Sequence, residues 1–270
     1  MQFIDLKTQY YMLKKDIQSN INTVLEHGQF IMGPEVLKLE EELSKFTGSK
    51  FCLTCSSGTD ALLIALMARD IGPGDYVITT PFTYIATAEV INLIGATPVF
   101  VDIDSKTFNI DPIQLNQKIV EMHSKNLEIK GIIPVNLFGL PADYNEIYKI
   151  ATKYGIFVLE DAAQSFGAKY KSKISGNLGD ISATSFFPAK PLGCYGDGGA
   201  IFTNHKDDYE VMESIRIHGK GKDKYDCDRT GLNGRLDSIQ AAILLPKLKI
   251  YSKEIELRQQ VASFYSSMLS

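Results

Sequence analysis

Apolar positions along the chain follow two rhythms. Within residues 8 to 27, and again in PEVLKLEEELSKFTG from Pro34, they recur at helical spacing. In the second segment Val36, Leu39, Leu43 and Phe46 share one side, with Pro34 at the first turn and Gly48 at the end. Further on, short β-branched runs appear near 50–55, 76–80, 97–102, 131–135, 156–160, 182–187 and 199–203, with helical patterns between most of them. Runs such as YVITT, TPVFVD and GIIPV are nearly continuous in apolar residues and are bounded by Gly, Pro or Asp. Such strands are buried on both faces, which predicts a largely parallel α/β sheet covered by helices. In a sheet of that kind ligands bind beyond the carboxyl ends of the strands, so polar residues there carry the functional signal.

Composition narrows the classes. A chain of 270 residues that is 44% apolar can build one large domain, or one large and one small. A net charge of −4, with no basic block, argues against nucleic acid as partner. Lys220, Lys222 and Lys224 are diluted by Gly221 and Asp223 and read as a loop. The first residues carry charges and no small-residue cleavage site, and no apolar run reaches membrane-spanning length, so the expectation is a soluble cytoplasmic protein without a membrane partner. Cys52 and Cys55 form a C-x-x-C. Their odd separation along a strand points the thiols to opposite faces, and no second pair completes a metal site, so they read as buried small residues and no metal is expected.

The stretch SATSFFPAKPLGCYGDGGAIFTN, 182–204, reads as a strand, a tight crossing and a second strand. Pro188 and Pro191 end any helix around Lys190, so its amine is displayed from a rigid loop. A lysine amine condenses with an aldehyde once neutral, which makes Lys190 a candidate nucleophile. Taken alone, among 28 Lys and Arg, it would read as one more surface cation.

Other strand ends supply partners. Ser-Ser-Gly-Thr-Asp before an apolar helix leaves backbone N–H groups where the dipole favours an anion, so Gly58 and Thr59 could cradle a phosphate; capping by Ser57 or Thr59 explains the same residues. Tyr84 is placed to stack on a planar ring, whereas Phe82 reads as core. Glu160 and Asp161 stand at the end of an apolar strand, where a carboxylate is costly unless it meets a cation or donors. A pyridinium N–H would satisfy one of them, while capping of the next helix would explain only one. Gln164 and Ser165 follow within reach. A lysine for an aldehyde, an acid for a ring nitrogen, a helix start for a phosphate and a stacking aromatic are the parts of a pyridoxal phosphate (PLP) site.

SSGTDAL, PFTYIAT, EDAAQSFGA, SFFPAKPLGCYGDGGAIFT and GLNGRLDSIQAA resemble, in order, the motifs of the PLP-dependent nucleotide-sugar aminotransferases, the DegT/StrS family of fold-type I enzymes. The resemblance covers the whole chain. It implies a mixed, mostly parallel sheet of about seven strands in a large domain, residues 1–240, followed by a helical connection, 241–270, to a small domain largely absent here.

The resemblance also implies roles. Lys190 binds the cofactor and shuttles a proton, Asp161 faces the pyridine nitrogen, and Gln164 lies near the ring hydroxyl. Gly58, Thr59 and Ser185 meet the phosphate, and Tyr84 stacks. Asn233 reaches the phosphate of a neighbouring subunit's cofactor, implying a homodimer, and Arg235 meets an acidic group on the sugar nucleotide or is a surface cation. Some relatives carry histidine at the lysine position and dehydrate; Lys190 favours transamination, with glutamate as donor and cycling through pyridoxamine phosphate. The wording of FIDLK, SFFPAKPLGCYGDGGAIFTN and RLDSIQAAILLPKL is similar to enzymes that aminate the 3-keto group of a UDP-linked N-acetyl-hexuronic acid for O-antigen synthesis. Rival readings are a 4-keto sugar nucleotide aminotransferase, another PLP enzyme of this fold, and a non-catalytic scaffold that kept it.

Overall fold

The computed structural model describes residues 4–223 and 225–269. Lys224 of the basic loop, Phe3 at the head of FIDLK and the terminal Ser270 lie outside the described residues. Two helices open the chain, α1 (Leu6–His27) and α2 (Pro34–Thr47). The first begins two residues before the apolar rhythm does, because Asp5 caps it, accepting the N–H groups of Lys7 and Thr8 at 3.1 and 3.0 Å. Gly48 closes the second in the left-handed region, φ 74°, as its position after the apolar stripe predicts.

The strands then alternate with helices. They are β1 (Phe51–Cys55), β2 (Tyr76–Thr79), β3 (Thr97–Phe100), β4 (Ile129–Ile132), β5 (Phe157–Asp161), a short hairpin β6 (Lys169–Tyr170) and β7 (Lys173–Ile174), then β8 (Ile181–Ser185) and β9 (Gly199–Thr203). The helices between and after them are α3 (Gly58–Ala68), α4 (Ala86–Leu93), α5 (Pro112–Ser124), α6 (Tyr144–Tyr154), α7 (Lys206–Arg216) and α8 (Ser238–Leu269). Among the described residues the main sheet has seven strands in the order β1-β9-β8-β5-β4-β2-β3. The strands from β8 to β3 are parallel, and β9 runs antiparallel to both neighbours. The hairpin β6–β7 has no counterpart in the apolar pattern, since KYKSK contains no buried run.

Side-chain alternation divides the core. Leu53, Cys55, Ala183 and Ile201 pack on one face under α3, α4 and α7. Cys52, Ala200 and Phe202 pack on the other under α2 and α8. The two thiols of the C-x-x-C therefore do lie on opposite faces, and burial pushes both up from the ordinary range. Among the described residues no helix is long and apolar enough to cross a membrane.

Polar ties lock these layers. Arg216, 1% exposed at the end of α7, donates from Nη1 to Glu40 Oε1 at 2.6 Å and to Thr54 O at 2.9 Å. The same Glu40 oxygen accepts the N–H and hydroxyl of Thr54, each at 2.8 Å, so α2, β1 and α7 meet at one carboxylate. Arg216→Met strands that carboxylate, and the expected loss is about 3–5 kcal/mol, read as a lower urea midpoint at unchanged slope. In α8, Pro246 cannot supply the N–H that Ala242 O would accept, and Asn20 Nδ2 of α1 donates to it at 3.1 Å.

Candidate active site

Strands β5 and β8 run parallel side by side with Asp161 opposite Ala183, and β8 continues two residues further to Ser185, so both carboxyl ends lie on one edge of the sheet near α3 and α4. A cavity of about 470 Å³ opens there, of a size for a phosphorylated ring. Its lining brings together Gly58, Thr59, Tyr84, Asp161, Gln164, Ser185 and Lys190.

Asp161 is 6% exposed and sits on the sheet face of Leu159. Its Oδ2 accepts the Thr87 hydroxyl at 2.8 Å and its Oδ1 the Ala163 N–H at 3.1 Å. Burial pushes its carboxyl above the usual range, while Thr87, Ala163 N–H and the positive charge of Lys190 pull it back. Glu160 points through the other face. There it accepts Asn136 Nδ2 at 2.8 Å, Ser175 Oγ at 2.6 Å and Leu178 N–H at 2.9 Å. It caps no helix; it ties three loops together beneath the sheet, which explains the second acid that the capping reading left over.

The start of α3 faces the cavity. Ser57 takes the cap, its hydroxyl accepting the Asp60 N–H at 3.0 Å, and Gly58 and Thr59 line the cavity. A Cβ at Gly58 would stand 2.6 Å from Ser185 Cβ. Only glycine lets β8 come this close, which brings the Ser185 hydroxyl to the positive end of the helix.

Lys190 is half-buried on the loop between β8 and β9. Its N–H bonds Phe187 O and Cys194 N–H bonds Phe186 O, both at 2.8 Å, which closes the loop at its base. A second cavity of about 800 Å³ lies beyond it and shares Gln164, Phe187 and Lys190 with the first. Phe138, Asp5, Glu254 and Arg258 also line this outer chamber.

Gln164 Oε1 accepts the Phe138 N–H at 2.9 Å. Tyr84 is exposed at the rim. Phe82 is not core: it is 47% exposed and packs on Phe108 and Phe138, ring centroids 5.9 and 6.5 Å away, because the chain has left the covered sheet by Thr80. Asn233 and Arg235 lie outside this cavity, with Arg235 Nε and Nη2 donating to Asn233 Oδ1 at 3.0 and 2.6 Å. Thr87, Thr184 and Asp197 line the cavity without having been foreseen. For Thr87 the sequence did hold a signal, a hydroxyl in the first turn of the helix that follows Tyr84.

The model of the DegT/DnrJ/EryC1/StrS aminotransferase family matches residues 12–270. The chain belongs to that family. A relative from Pseudomonas aeruginosa, UDP-2-acetamido-2-deoxy-3-oxo-D-glucuronate aminotransferase, is 54% identical over 269 residues, spanning 100% of this chain and 73% of that protein. The crystal structure of a DegT DnrJ EryC1 StrS aminotransferase from Brucella abortus superposes with a TM-score of 0.98 at 48% identity, covering 100% of this chain and 72% of that one. NtdA from Bacillus subtilis, solved with bound cofactor PMP, superposes at 0.81 with 34% identity over 88% of this chain and 53% of its own. This member of the DegT/DnrJ/EryC1/StrS family is thus an aminotransferase of PLP fold-type I, and its cofactor is pyridoxal phosphate. The cavity fits that group: a buried acid held by two donors, a lysine whose charge reaches it, and a helix start that a Cβ would block.

Proposed function

We propose that the protein transfers an amino group from glutamate to the 3-keto group of a UDP-linked N-acetyl-hexuronic acid. The observation that carries the chemistry is the joint presence of Lys190 and the buried Asp161 in one cavity. The Pseudomonas relative supports the choice of acceptor sugar. When bound, pyridoxal phosphate supplies an aldehyde that takes up the amino group and a ring that draws electrons from the reacting carbon.

Lys190 Nζ is the amine that would hold the cofactor's aldehyde and the base that would move a proton in the cavity. Asp161, aligned by Thr87, would hold a proton on the ring nitrogen. Gly58 and Thr59 N–H groups, with the Ser185 hydroxyl, would receive the phosphate. Tyr84 would stack on the ring and Gln164 would hold its hydroxyl. The outer chamber past Lys190 admits glutamate and then the keto sugar.

Asn233 and Arg235 serve the cavity of a second copy in a homodimer, Asn233 at its phosphate and Arg235 at the uronate carboxylate, for which a bidentate guanidinium is suited. Their position outside this chain's own cavity supports that reading. Residues 1–240 act as the cofactor domain and 241–270 as the connection to a smaller one. The setting is cytoplasmic synthesis of O-antigen or another surface polysaccharide.

The test is product analysis by mass spectrometry with glutamate and either the 3-keto uronic acid or a 4-keto deoxysugar nucleotide. Amination of the first is expected, and Arg235→Ala should lower its kcat/KM roughly 10- to 100-fold, the value of a charge-assisted contact, while the glutamate half-reaction keeps its rate. Amination of the 4-keto sugar alone would overturn the substrate assignment.

A further inference from the structure

Helix α8 passes behind the loop that carries Lys190 and grips it at three points. Gln240 Oε1 accepts the Tyr195 N–H at 2.9 Å, Arg258 Nη2 donates to Pro191 O at 3.3 Å, and between them Lys247 Nζ donates to Gly193 O at 2.6 Å. Lys247 stands apart from the other two because it is 1% exposed, its ammonium 4.2 Å from the centroid of the Tyr195 ring. Burying an ammonium costs solvation that a methionine of similar reach would not lose. The group must therefore be explained by what it holds.

What it holds is the pivot of the loop. A Cβ at Gly193 would lie 2.4 Å from Pro188 O and 2.8 Å from Phe187 O, and Phe187 O is the acceptor for the Lys190 N–H. The carbonyl gripped by Lys247 thus belongs to the residue stacked on the turn that presents Lys190. We propose that Lys247 is a positioning residue for Lys190, its ammonium clamped between Gly193 O and the face of Tyr195 so that the 186–197 loop keeps the Lys190 amine in the cavity with Asp161. The proposal rests on the aminotransferase reading and adds to it a residue with no place in the cavity.

Burial lowers Lys247 to about 8, with Cys194 of the loop and Glu254 of α8 drawing it back up. Tyr195, itself pushed up by burial, faces it as a neutral phenol, and Tyr10 of α1 packs edge-on against that ring. The folded state therefore releases this proton as pH rises through about 8, whereas the unfolded chain keeps it until about 10.4. Over that window the unfolded state binds more protons, so this group adds to global stability as pH rises. The grip on the loop moves the opposite way, because a neutral amine loses its cation–π contact and its charge-assisted hydrogen bond.

Amide hydrogen exchange on the protein without added cofactor, compared among wild type, Lys247→Met and Lys247→Arg, tests this. Lys247→Met is expected to speed exchange in residues 187–195 about tenfold beyond any change in β8 and β9. It should also slow the glutamate half-reaction roughly 10- to 100-fold at unchanged glutamate KM, as expected for a misplaced catalytic group. Lys247→Arg should restore both and move the alkaline fall in rate, expected to begin near pH 8 in the wild type, to higher pH. Equal loosening of loop and strands, or a methionine variant with wild-type rate, overturns the proposal. Should Lys247→Met fail to fold, an alkaline limb left unmoved in Lys247→Arg overturns it instead. If no form reacts with glutamate, the transaminase reading falls while the exchange pattern still decides the role of Lys247.

Discussion

Lys190→Ala is expected to abolish fixation of the cofactor by borohydride and to lower the glutamate half-reaction by on the order of 10⁴-fold. The magnitude follows from removing two roles at once, the amine that holds the aldehyde and the base that moves the proton. Folding should survive. The loop is closed by backbone bonds at Phe186 and Phe187, by Gly193 against Pro188 O and by contacts from α8, none of which uses the Lys190 side chain. Visible absorbance before and after borohydride, in wild type and variant, reads the result. A variant that still fixes the chromophore would assign the role to another amine.

Asp161→Asn separates function from stability. The amide keeps the shape, with its oxygen taking the Ala163 N–H and its NH₂ facing a Thr87 hydroxyl that can turn to accept. It carries no charge to hold a proton on the ring nitrogen, so the rate of the half-reaction should fall roughly 10²- to 10³-fold. Stability should move the other way. Burial raises the Asp161 pKa in the folded state, so the folded state binds the proton more tightly than the unfolded chain does. The stabilisation linked to that proton is full below the unfolded value and is lost as pH rises through the folded one. The wild type therefore loses stability relative to a neutral side chain as pH rises, so the cofactor-free Asn variant should gain on it toward higher pH and the gap should close on acidification. Thermal melts at pH 7 and pH 4 measure it.

Much of this architecture can be read from the chain because parallel strands leave an unusually plain signature. The runs near 50–55, 76–80 and 199–203 coincide with β1, β2 and β9, and SSGTDAL, PFTYIAT, EDAAQSFGA and SFFPAKPLGCYGDGGAIFT each contribute residues to the cavity. What escaped detection depends on contacts distant in sequence. Thr87 matters only because α4 sets it beside Asp161, and Lys247 only because α8 runs behind the loop. Phe82 was misjudged for a local reason: composition marks an aromatic as apolar but does not tell where the sheet's cover stops. Glu160 and Asp161 were singled out together, and only the alternation of β5 tells them apart.

That alternation makes the reading frame of one strand matter more than its composition. Gain or loss of a single residue between Phe157 and Leu159 would turn the pair half a pleat and exchange their addresses, sending the longer acid into the cavity and the shorter one toward the loops at Asn136 and Ser175. Both acids would survive such an indel, yet neither would meet its donors. Sequence drift in this protein is therefore closed to changes in the length of β5, beyond the limits that burial already sets on its substitutions.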